Sequence, residues 1–383
     1  MLARAPSSLQ ILLILLILSK NSGLRASALP RSLRLPMSRI PPFAFIALSL
    51  LAITPAAISA EPSSVPTLPS LPIPATYDAV VSPAKDAQFK TLQAAIDASP
   101  DNAEKPYVIL IKPGRYRWQQ TLIPKSKRFI HLVGEDANTT VLSFHLNVYE
   151  TLKERRLEKN EGITLIAQGD DFSATNLTIE NIAGDRGQAL ALRLDGDRAV
   201  VRNCRLLGWQ DTLMANNGRQ YFRDCYIEGR VDFIFGGATA VFENCELRSK
   251  AGGHVTAASP PQEKPFGYVF LRCRLTGDDT PWEPADPAKK SRPLATLGRP
   301  WRPYGAVAFI ECEMGDHIAP TGWNNWGRAD NEKTARYAEY KSTGPGANPA
   351  ARVSWSKQLT DTEAAAYTLE NILGGTDSWN PTQ

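Results

Sequence analysis

The chain has 383 residues and a formal net charge of +4 at pH 7. Residues 1–60 contain six basic residues and no acidic one, so subtracting that surplus leaves residues 61–383 with a net charge of −2. A slightly acidic main body gives no electrostatic reason to expect nucleic-acid binding, because the positive charge of the whole chain comes from its N-terminal segment.

The N-terminal segment has the features of an export leader. It holds two apolar runs, at residues 11–18 and 43–53, and the second follows an arginine and ends in small residues, as in a secretory signal peptide. We predict a signal peptide over residues 37–60, with residues 1–36 as an upstream extension, and a secreted or periplasmic protein without a stable membrane anchor. The alternative is a longer leader or an N-terminal anchor, although both runs are shorter than the ~20 residues of a membrane-spanning helix.

The main body begins with a predicted linker and a capping helix. Residues 61–78 are rich in Pro and Ser and predict a loose linker, after which residues 79–383 form a single domain. Apolar residues at helical spacing over 89–96 predict a helix, which suits the end of a repeat array. Short runs rich in Val, Ile and Leu then predict strands at residues 107–111, 129–133, 140–142, 163–166 and 174–179.

Five cysteines define a repeat in the second half of the chain. Each stands in a similar phrase, and the first three are 21 and 20 residues apart. A period near 20 residues, with strand-like units and no intervening helical pattern, predicts an all-β solenoid, the right-handed parallel β-helix. The clearest coils are residues 199–206, 220–227, 240–247, 267–275 and 306–314.

The placement of the cysteines bears on their chemistry. They are Cys204, Cys225, Cys245, Cys273 and Cys312. Because their number is odd and they occupy the same place in successive repeats, we expect buried thiols that pack as small hydrophobic groups; one or two disulfides are the alternative. No Cys-x-x-Cys pair occurs, so a zinc site has little support.

Two longer interruptions and a C-terminal helix complete the predicted elements. Residues 249–265 and 276–293 predict loops that leave the coils and wall a groove. Thr360 and Glu363 form a capping-box pattern. This pattern predicts a helix over 364–373, lying on the flank of the solenoid.

Carboxylates are the strongest candidates for chemistry. The sequence has no Gly-x-Ser-x-Gly nucleophile motif, no His-Glu-x-x-His metal motif, and only four histidines, none of them in a catalytic phrase. Asp211 and Asp232 each stand seven residues after a repeat cysteine, Cys204 and Cys225 respectively. Equal phase in consecutive coils stacks residues about 4.8 Å apart at the backbone, so the two acids are predicted to lie side by side.

Two glutamines are predicted to join this pair. Gln188 lies 22 residues before Gln210 and is expected on the preceding rung. Two close carboxylates cannot both ionise freely, so one can act as a nucleophile and the other as an acid, while amide N–H groups suit an oxyanion. A ladder of Asp and Asn residues that caps solenoid turns explains the spacing alone equally well.

Four phrases give the sequence a family resemblance. They are Gln-Ala-x-Ala-Leu at 188–192, Trp-Gln-Asp-Thr-Leu at 209–213, Val-Asp-Phe-Ile-Phe-Gly at 231–236 and Leu-Gly-Arg-Pro-Trp at 297–301. Each is moderately specific, but all four in this order resemble the pectin methylesterase (pectinesterase) family, over most of the chain after the linker. The resemblance implies a pectin-lyase-like right-handed parallel β-helix that hydrolyses C6 methyl esters of pectin (homogalacturonan), without a metal or organic cofactor.

The resemblance also implies roles for individual residues. Asp232 would be the nucleophile, and Asp211 the general acid that protonates methanol and then the base that activates water. Gln188 and Gln210 would stabilise the oxyanion. Arg299 would hold Asp232 ionised and oriented.

A substrate groove is expected around these residues. The resemblance implies that one tryptophan offers an apolar face to a sugar ring, and four further side chains are weaker candidates for the groove lining. In that order they are Trp301, Phe235, Tyr221, Met214 and Trp323. The chain departs from the family in one phrase, where Trp118 replaces the Glu of Gly-x-Tyr-x-Glu, and contacts with substrate near the first coils are therefore expected to differ.

Two other functions fit parts of the sequence. One is a related esterase or thioesterase that uses the same acid pair on a different acyl group. The other is a catalytically silent β-helix that only binds polysaccharide, although the complete set of acids, glutamines and arginine argues against lost activity. A capped solenoid of modest net charge is expected to be a monomer.

Overall fold

The coils predicted from the repeat are present in the computed structural model, which describes residues 65–118, 120–150, 162–277 and 293–382. These residues belong to a unit that begins at Ser64. The predicted leader, the first residues of the predicted linker and most of the predicted loop at 276–293 lie outside the described residues. Within the described part, no helix combines the length and the apolar character needed to cross a membrane.

Short strands make up most of the described chain. In chain order the elements are β1 Ala79–Val81, α1 Leu92–Asp97, β2 Tyr107–Ile111, β3 Gly114–Arg117, β4 Thr121–Ile123, β5 Ile130–Gly134, β6 Thr140–Phe144, β7 Ile163–Ala167, β8 Ser173–Thr175, β9 Thr178–Asn181, β10 Leu190–Leu194, β11 Ala199–Arg202, β12 Arg205–Leu207, β13 Leu213–Ala215, β14 Arg219–Arg223, β15 Tyr226–Gly236, β16 Thr239–Glu243, β17 Glu246–Ala258, β18 Tyr268–Leu271, β19 Arg274–Gly277, β20 Ala295–Gly298, β21 Ala306–Ile310, β22 Glu313–Met314, α2 Ala329–Thr334, β23 Arg336–Tyr340, a 3-10 turn at Pro349–Ala351, β24 Lys357–Gln358, α3 Asp361–Ala364 and α4 Leu369–Leu373. The strand pairs of these residues are parallel.

Two sheets form the faces of the solenoid. One has the strand order β1-β2-β5-β8-β11-β14-β16-β18-β21-β23-β24. The other has the order β3-β6-β9-β12-β15-β13-β10-β7-β4, and β17 and β20 extend it beyond β15. Because β15 and β17 are 11 and 13 residues long and pass through a corner, they join two faces of the coil into one sheet. The predicted right-handed parallel β-helix is confirmed.

One corner of each coil is made by the residue that precedes a repeat cysteine. These residues all have a positive φ, between 50° and 55°: Asn203, Asp224, Asn244, Arg272 and Glu311. Asn and Asp tolerate this left-handed conformation better than most side chains, which explains three of the five choices. Each repeat phrase therefore contains the end of one strand, a corner and the start of the next strand.

The cysteines form a ladder inside the coils. All five are free and at most 2% exposed. The last four thiols each lie 3.3–3.7 Å from a carbonyl oxygen of the preceding coil. Burial raises the pKa of the Cys204, Cys225, Cys245 and Cys273 thiols well above the usual value, so they are unreactive packing groups.

A second ladder is aromatic. Phe222, Phe242, Phe270 and Phe309 occupy the same register position in successive strands. Their rings stack with centroids 4.5, 4.6 and 4.4 Å apart. Rings stacked at the same position of successive coils bury a large apolar area. They also disfavour any slip in register, because a slip of one residue would turn each ring outward.

The predicted linker is held against the coils over residues 66–71. The backbone of Leu68 exchanges two hydrogen bonds with the Asn138 amide, and that of Leu71 does the same with Asn176. The Asn203 amide donates to the Pro69 carbonyl. The prediction of a loose linker is therefore wrong for this stretch, because corner asparagines, which composition does not mark as partners, satisfy its backbone.

Two predicted elements near the ends of the chain change in detail. The N-terminal helix begins after Thr91, whose side chain accepts from a helix N–H, and not at residue 89. The capping box at Thr360 and Glu363 is confirmed, but the predicted single helix over 364–373 is wrong. Two short helices, α3 and α4, occupy this segment. Thr368 is the N-cap of α4, and its side chain accepts a hydrogen bond from the backbone N–H of Asn371.

The predicted loop at 249–265 is also wrong over its first ten residues. They continue β17 to Ala258, with Val255, Thr256 and Ala258 buried. Gly253, whose φ is 94°, lies in the bend of this strand, and the loop itself is confined to the residues before β18.

Truncating the centre of the aromatic ladder should destabilise the protein strongly. We expect Phe242→Ala to lower the free energy of unfolding by about 3–5 kcal/mol, because it leaves a cavity between two stacked rings. Chemical denaturation of the variant and of an exposed control, Tyr77→Ala, measures this. A loss for Phe242→Ala no larger than that of the control would contradict the role of the ladder.

Candidate active site

Two turns in neighbouring coils bring the predicted acids together. One turn joins β12 to β13 and carries Asp211, and the other is the bent middle of β15 and carries Asp232. Gln210 pairs with Val231 just before the acids, and β13 pairs with β15 just after them. The two acids therefore occupy the same position in successive coils, and their backbones lie one strand spacing, about 4.8 Å, apart.

The backbone at both acids is left-handed, with φ of 64° at Asp211 and 52° at Asp232. The pairing of β15 with β17 shifts register on both sides of Val231, and such a bulge re-aims the side chains beside it. A Cβ at Gly229 would lie 2.2 Å from the Cβ of Phe233. The bend that directs Asp232 toward its neighbour therefore requires a glycine at this position.

Arg299 holds the carboxylate of Asp232 in a two-point contact. Its Nε donates to Oδ1 at 2.8 Å and its Nη2 donates to Oδ2 at 2.7 Å, and Asp232 is only 5% exposed. The guanidinium in turn lies over the ring of Trp326, with Cζ 3.8 Å from the ring centre. A planar fork held between a carboxylate and an aromatic face fixes the orientation of both.

The two carboxyls have different electrostatic surroundings. Burial raises the pKa of Asp232, and the hydrogen bonds and charge of Arg299 act against that rise. Burial and then the negative charge of Asp232 raise the pKa of Asp211 to about 8, with smaller opposing contributions from Arg299 and from a hydrogen bond to Gln210. These surroundings therefore favour the negative charge on Asp232 and the proton on Asp211.

Two amides face the acids across the same cavity. Gln188 pairs with Gln210 in the register of successive coils, and both side chains line a cavity of about 190 Å³ together with Asp211 and Asp232. An ionised acid, a protonated acid and amide donors in one cavity can attack a carbonyl carbon, protonate a leaving oxygen and stabilise the oxyanion between these events.

Apolar side chains close the other side of the cavity. Phe235 and Trp301 line it with Trp326, and the rings of Phe235 and Trp301 meet edge to face at 5.7 Å. Met214 lies one strand before Phe235 and packs in the same apolar cluster. Two of the five side chains predicted for the groove, Trp301 and Phe235, thus line this cavity, and Met214 packs in the apolar cluster beside it.

The prediction of groove lining is wrong for Tyr221 and Trp323. Tyr221 is fully buried in a separate cluster beneath the C-terminal helices, and its hydroxyl donates to Glu243. Trp323 is 2% exposed and stacks on Tyr337 inside the main core at 4.3 Å. Both are aromatic residues near the ends of coils, but the path of the turns decides whether such a side chain faces the core or the groove.

Sequence reasoning missed two residues at the site. Trp326 follows Trp323 by three residues, and this second member of the tryptophan pair, not the predicted first, lines the cavity. His254 lies beside Val231 in register; its Nδ1 is 2.7 Å from Thr296 Oγ1. Burial, followed by the charge of Arg299, lowers the pKa of His254 to about 4, so this imidazole is neutral beside the acid pair.

Comparison with known proteins connects this geometry to a family. A family model described as Pectinesterase matches residues 78–376. Pectinesterase 31 of Arabidopsis thaliana is 40% identical over 301 residues, which cover 76% of this chain and 91% of that protein.

Solved structures agree with the sequence match. The pectin methylesterase from carrot has a TM-score of 0.71 and 30% identity, covering 80% of this chain and 96% of its own. A pectin methylesterase in complex with a hexasaccharide has a TM-score of 0.67 and 32% identity, covering 80% and 99% of the two chains. The matched span includes the turns that carry Asp211, Asp232 and Arg299. The chain therefore belongs to the pectinesterase family of carboxylic ester hydrolases.

Proposed function

We propose that this pectinesterase is an exported enzyme that hydrolyses the C6 methyl esters of galacturonate units in pectin by an aspartate-nucleophile mechanism. The observation that carries the mechanism is the asymmetry of the acid pair. Arg299 clamps and counters the charge of Asp232. Among the described residues no arginine or lysine clamps Asp211 in this way, and its pKa rises to about 8. One acid is thereby suited to attack and the other to donate a proton.

The first half of the reaction releases methanol. A carboxylate oxygen of Asp232 attacks the ester carbonyl carbon, and the electron pair of the carbonyl moves to its oxygen, which the amides of Gln188 and Gln210 stabilise. When the tetrahedral intermediate collapses, the bond to the methoxy oxygen breaks and Asp211 gives its proton to that oxygen. Methanol and an acyl-aspartyl anhydride are formed.

The second half restores the enzyme. Asp211, now a carboxylate, removes a proton from a water molecule as the water oxygen attacks the acyl carbon of the anhydride. Collapse of this second intermediate breaks the bond to the Asp232 oxygen and releases a galacturonic acid unit, whose carboxyl group then loses the second water proton to the solvent. Asp211 is again protonated and Asp232 is again ionised, so the cycle closes without a cofactor.

The cavity suits a sugar ester. The aromatic faces of Trp301 and Phe235 border the acids, and apolar ring faces beside polar groups are favourable for pyranose rings. A family member was solved with a hexasaccharide bound, which supports a polysaccharide as the partner of this chain. The proposed export rests on the leader pattern in residues 37–60, and the proposed monomeric state on the capped ends of the solenoid.

Removing the nucleophile should abolish turnover. We expect Asp232→Ala to lower kcat for methylated pectin by at least about 10⁴-fold, because such a loss is typical when a nucleophile is deleted. Methanol release and acidification are measured together on residues 61–383.

The matched control for this variant is Asp224→Ala, which also removes an acid from a left-handed corner. Asp224 lies outside the catalytic cavity, so this control should stay close to wild type. Near-normal turnover by folded Asp232→Ala would remove the nucleophile assignment. Turnover of an acyl thioester without turnover of pectin would instead favour a different acyl substrate.

The pH dependence of kcat/KM should be bell-shaped. The value of kcat/KM should fall as the pH drops through the raised pKa of Asp232, because the nucleophile is then protonated. It should also fall above a pH of about 8, where Asp211 loses the proton it must donate.

Arg299→Lys tests the acid limb of this profile. Lysine keeps a positive charge but loses the two-point contact, so the pKa of Asp232 should rise and the acid limb should move to higher pH. Initial rates of methanol release across the pH range measure both limbs. An acid limb at the same pH in the variant would show that Arg299 does not set the ionisation of Asp232.

The burial of Asp211 should lower the free energy of unfolding at neutral pH. A raised folded-state pKa means that the stabilising contribution of protonated Asp211 is complete below the unfolded value of 3.8 and is lost as the pH rises to about 8. We expect the isosteric Asp211→Asn to be inactive yet more stable than wild type. Its advantage should grow by at most about 1.4 kcal/mol per pH unit across this window and then level off. Denaturation at several pH values measures it, and a constant difference would contradict the raised pKa.

A further inference from the structure

Trp118 is an exposed aromatic residue at a corner of the first coils. It is 54% exposed and its φ is 62°, which is rare for a bulky side chain. It stands in the turn between β3 and β4, and the equivalent turn three strands later, between β12 and β13, carries Asp211. The strands β4, β7, β10 and β13 are neighbours in that order, so Trp118 lies about 14 Å from the Asp211 turn along the same wall of the solenoid.

A continuous segment connects Trp118 to the catalytic cavity. The ring of Trp118 meets the ring of His145 at 4.1 Å. Three residues on, the amide of Val148 donates to the carbonyl of Gln188 at 2.9 Å. Tyr149, 59% exposed, lies against Gly187, where an added Cβ would be 3.2 Å from its ring. Two exposed aromatic rings thus follow one wall away from the acids.

A positive charge accompanies these rings. Arg117 directly precedes Trp118, is exposed, and forms no ion pair with an acid in the described part of the chain, in contrast to Arg115, which pairs with Glu180. A guanidinium without an acidic partner, next to an exposed aromatic ring, is suited to a pyranose ring that carries a carboxylate. A de-esterified galacturonate unit has both features, whereas a methyl-esterified unit has only the ring.

We propose that Trp118, Tyr149 and Arg117 form an additional sugar-binding site for non-reacting galacturonate units of the bound polysaccharide, with Arg117 favouring units that are already de-esterified. The proposal rests on the proposed function, because it needs the reacting ester at Asp232. The site lies beyond the cavity around the acids, and it uses the position where the chain departs from its family pattern. It would make long, partly de-esterified chains better substrates than short or fully esterified ones.

Substrate length separates this role from a structural one. Asparagine tolerates the left-handed backbone, so Trp118→Asn removes the ring without adding strain. We expect it to raise KM for a methyl-esterified decasaccharide about tenfold, as for truncation of an aromatic anchor, with kcat little changed. KM for a trisaccharide, which is too short to reach Trp118, should change far less, and Trp118→Phe should restore most of the loss. Tyr77→Ala removes another exposed aromatic residue elsewhere, 46% exposed against 54% for Trp118, and serves as the control.

The charge component needs a separate comparison. Arg117→Gln should weaken inhibition by de-esterified decagalacturonate about tenfold, and added salt should reduce the difference between wild type and variant. A neutral decasaccharide whose methyl esters are replaced by non-cleavable amides carries no carboxylate. Its inhibition should therefore differ little between wild type and Arg117→Gln.

Each outcome bears on the proposal. Equal changes in KM for long and short substrates, or a fall in kcat alone, would show that Trp118 only supports the turn and would overturn the sugar site. No change with the long substrate would overturn it as well. If wild type turns over neither substrate, the proposed function fails, and direct binding of decagalacturonate to wild type and Trp118→Asn then decides the sugar site by itself.

Discussion

Parallel pairing of residues at equal phase is the constraint on which the rest of this molecule depends. It aligns the rings of Phe222, Phe242, Phe270 and Phe309 within 4.4–4.6 Å of one another. The same register stacks five buried thiols and repeats one left-handed corner. Because side chains alternate between the two faces of a strand, a slip of one residue would turn this interior outward. The hydrophobic core therefore fixes the register, and the register fixes what lies at the corners.

The acid pair uses this register for chemistry. Stacking places Asp211 beside Asp232, and two like acids in a buried corner would by themselves share a charge. Arg299, which enters from a later coil and is held by Trp326, removes the symmetry. In the proposed mechanism, this guanidinium makes Asp232 the nucleophile and leaves Asp211 as the acid. Corner residues can vary in this way because they contribute little to the core, and Trp118 is another example.

Much of the fold follows from the sequence. The cysteine spacing predicts the solenoid, the apolar runs predict strands such as β2, and the capping box predicts the start of α3. The errors share one cause. The continuation of β17, the break between α3 and α4, and the anchoring of residues 66–71 all depend on partners distant in sequence, such as Asn138 and Asn176. A local pattern specifies what a segment prefers, but not which groups are available to satisfy its backbone.

The site divides in the same way. The sequence by itself determined the chemical inventory, which is two acids in equal phase, two glutamines and an arginine. The family resemblance of the phrases that carry them indicated the kind of reaction. Only the tertiary structure decided that Trp326 and not Trp323 supports Arg299, that Tyr221 lies in a separate core, and that the two acids differ in pKa. The reason is physical. Phase along a repeat is a local property that spacing records, whereas burial, facing and charge environment arise only when distant coils are packed together.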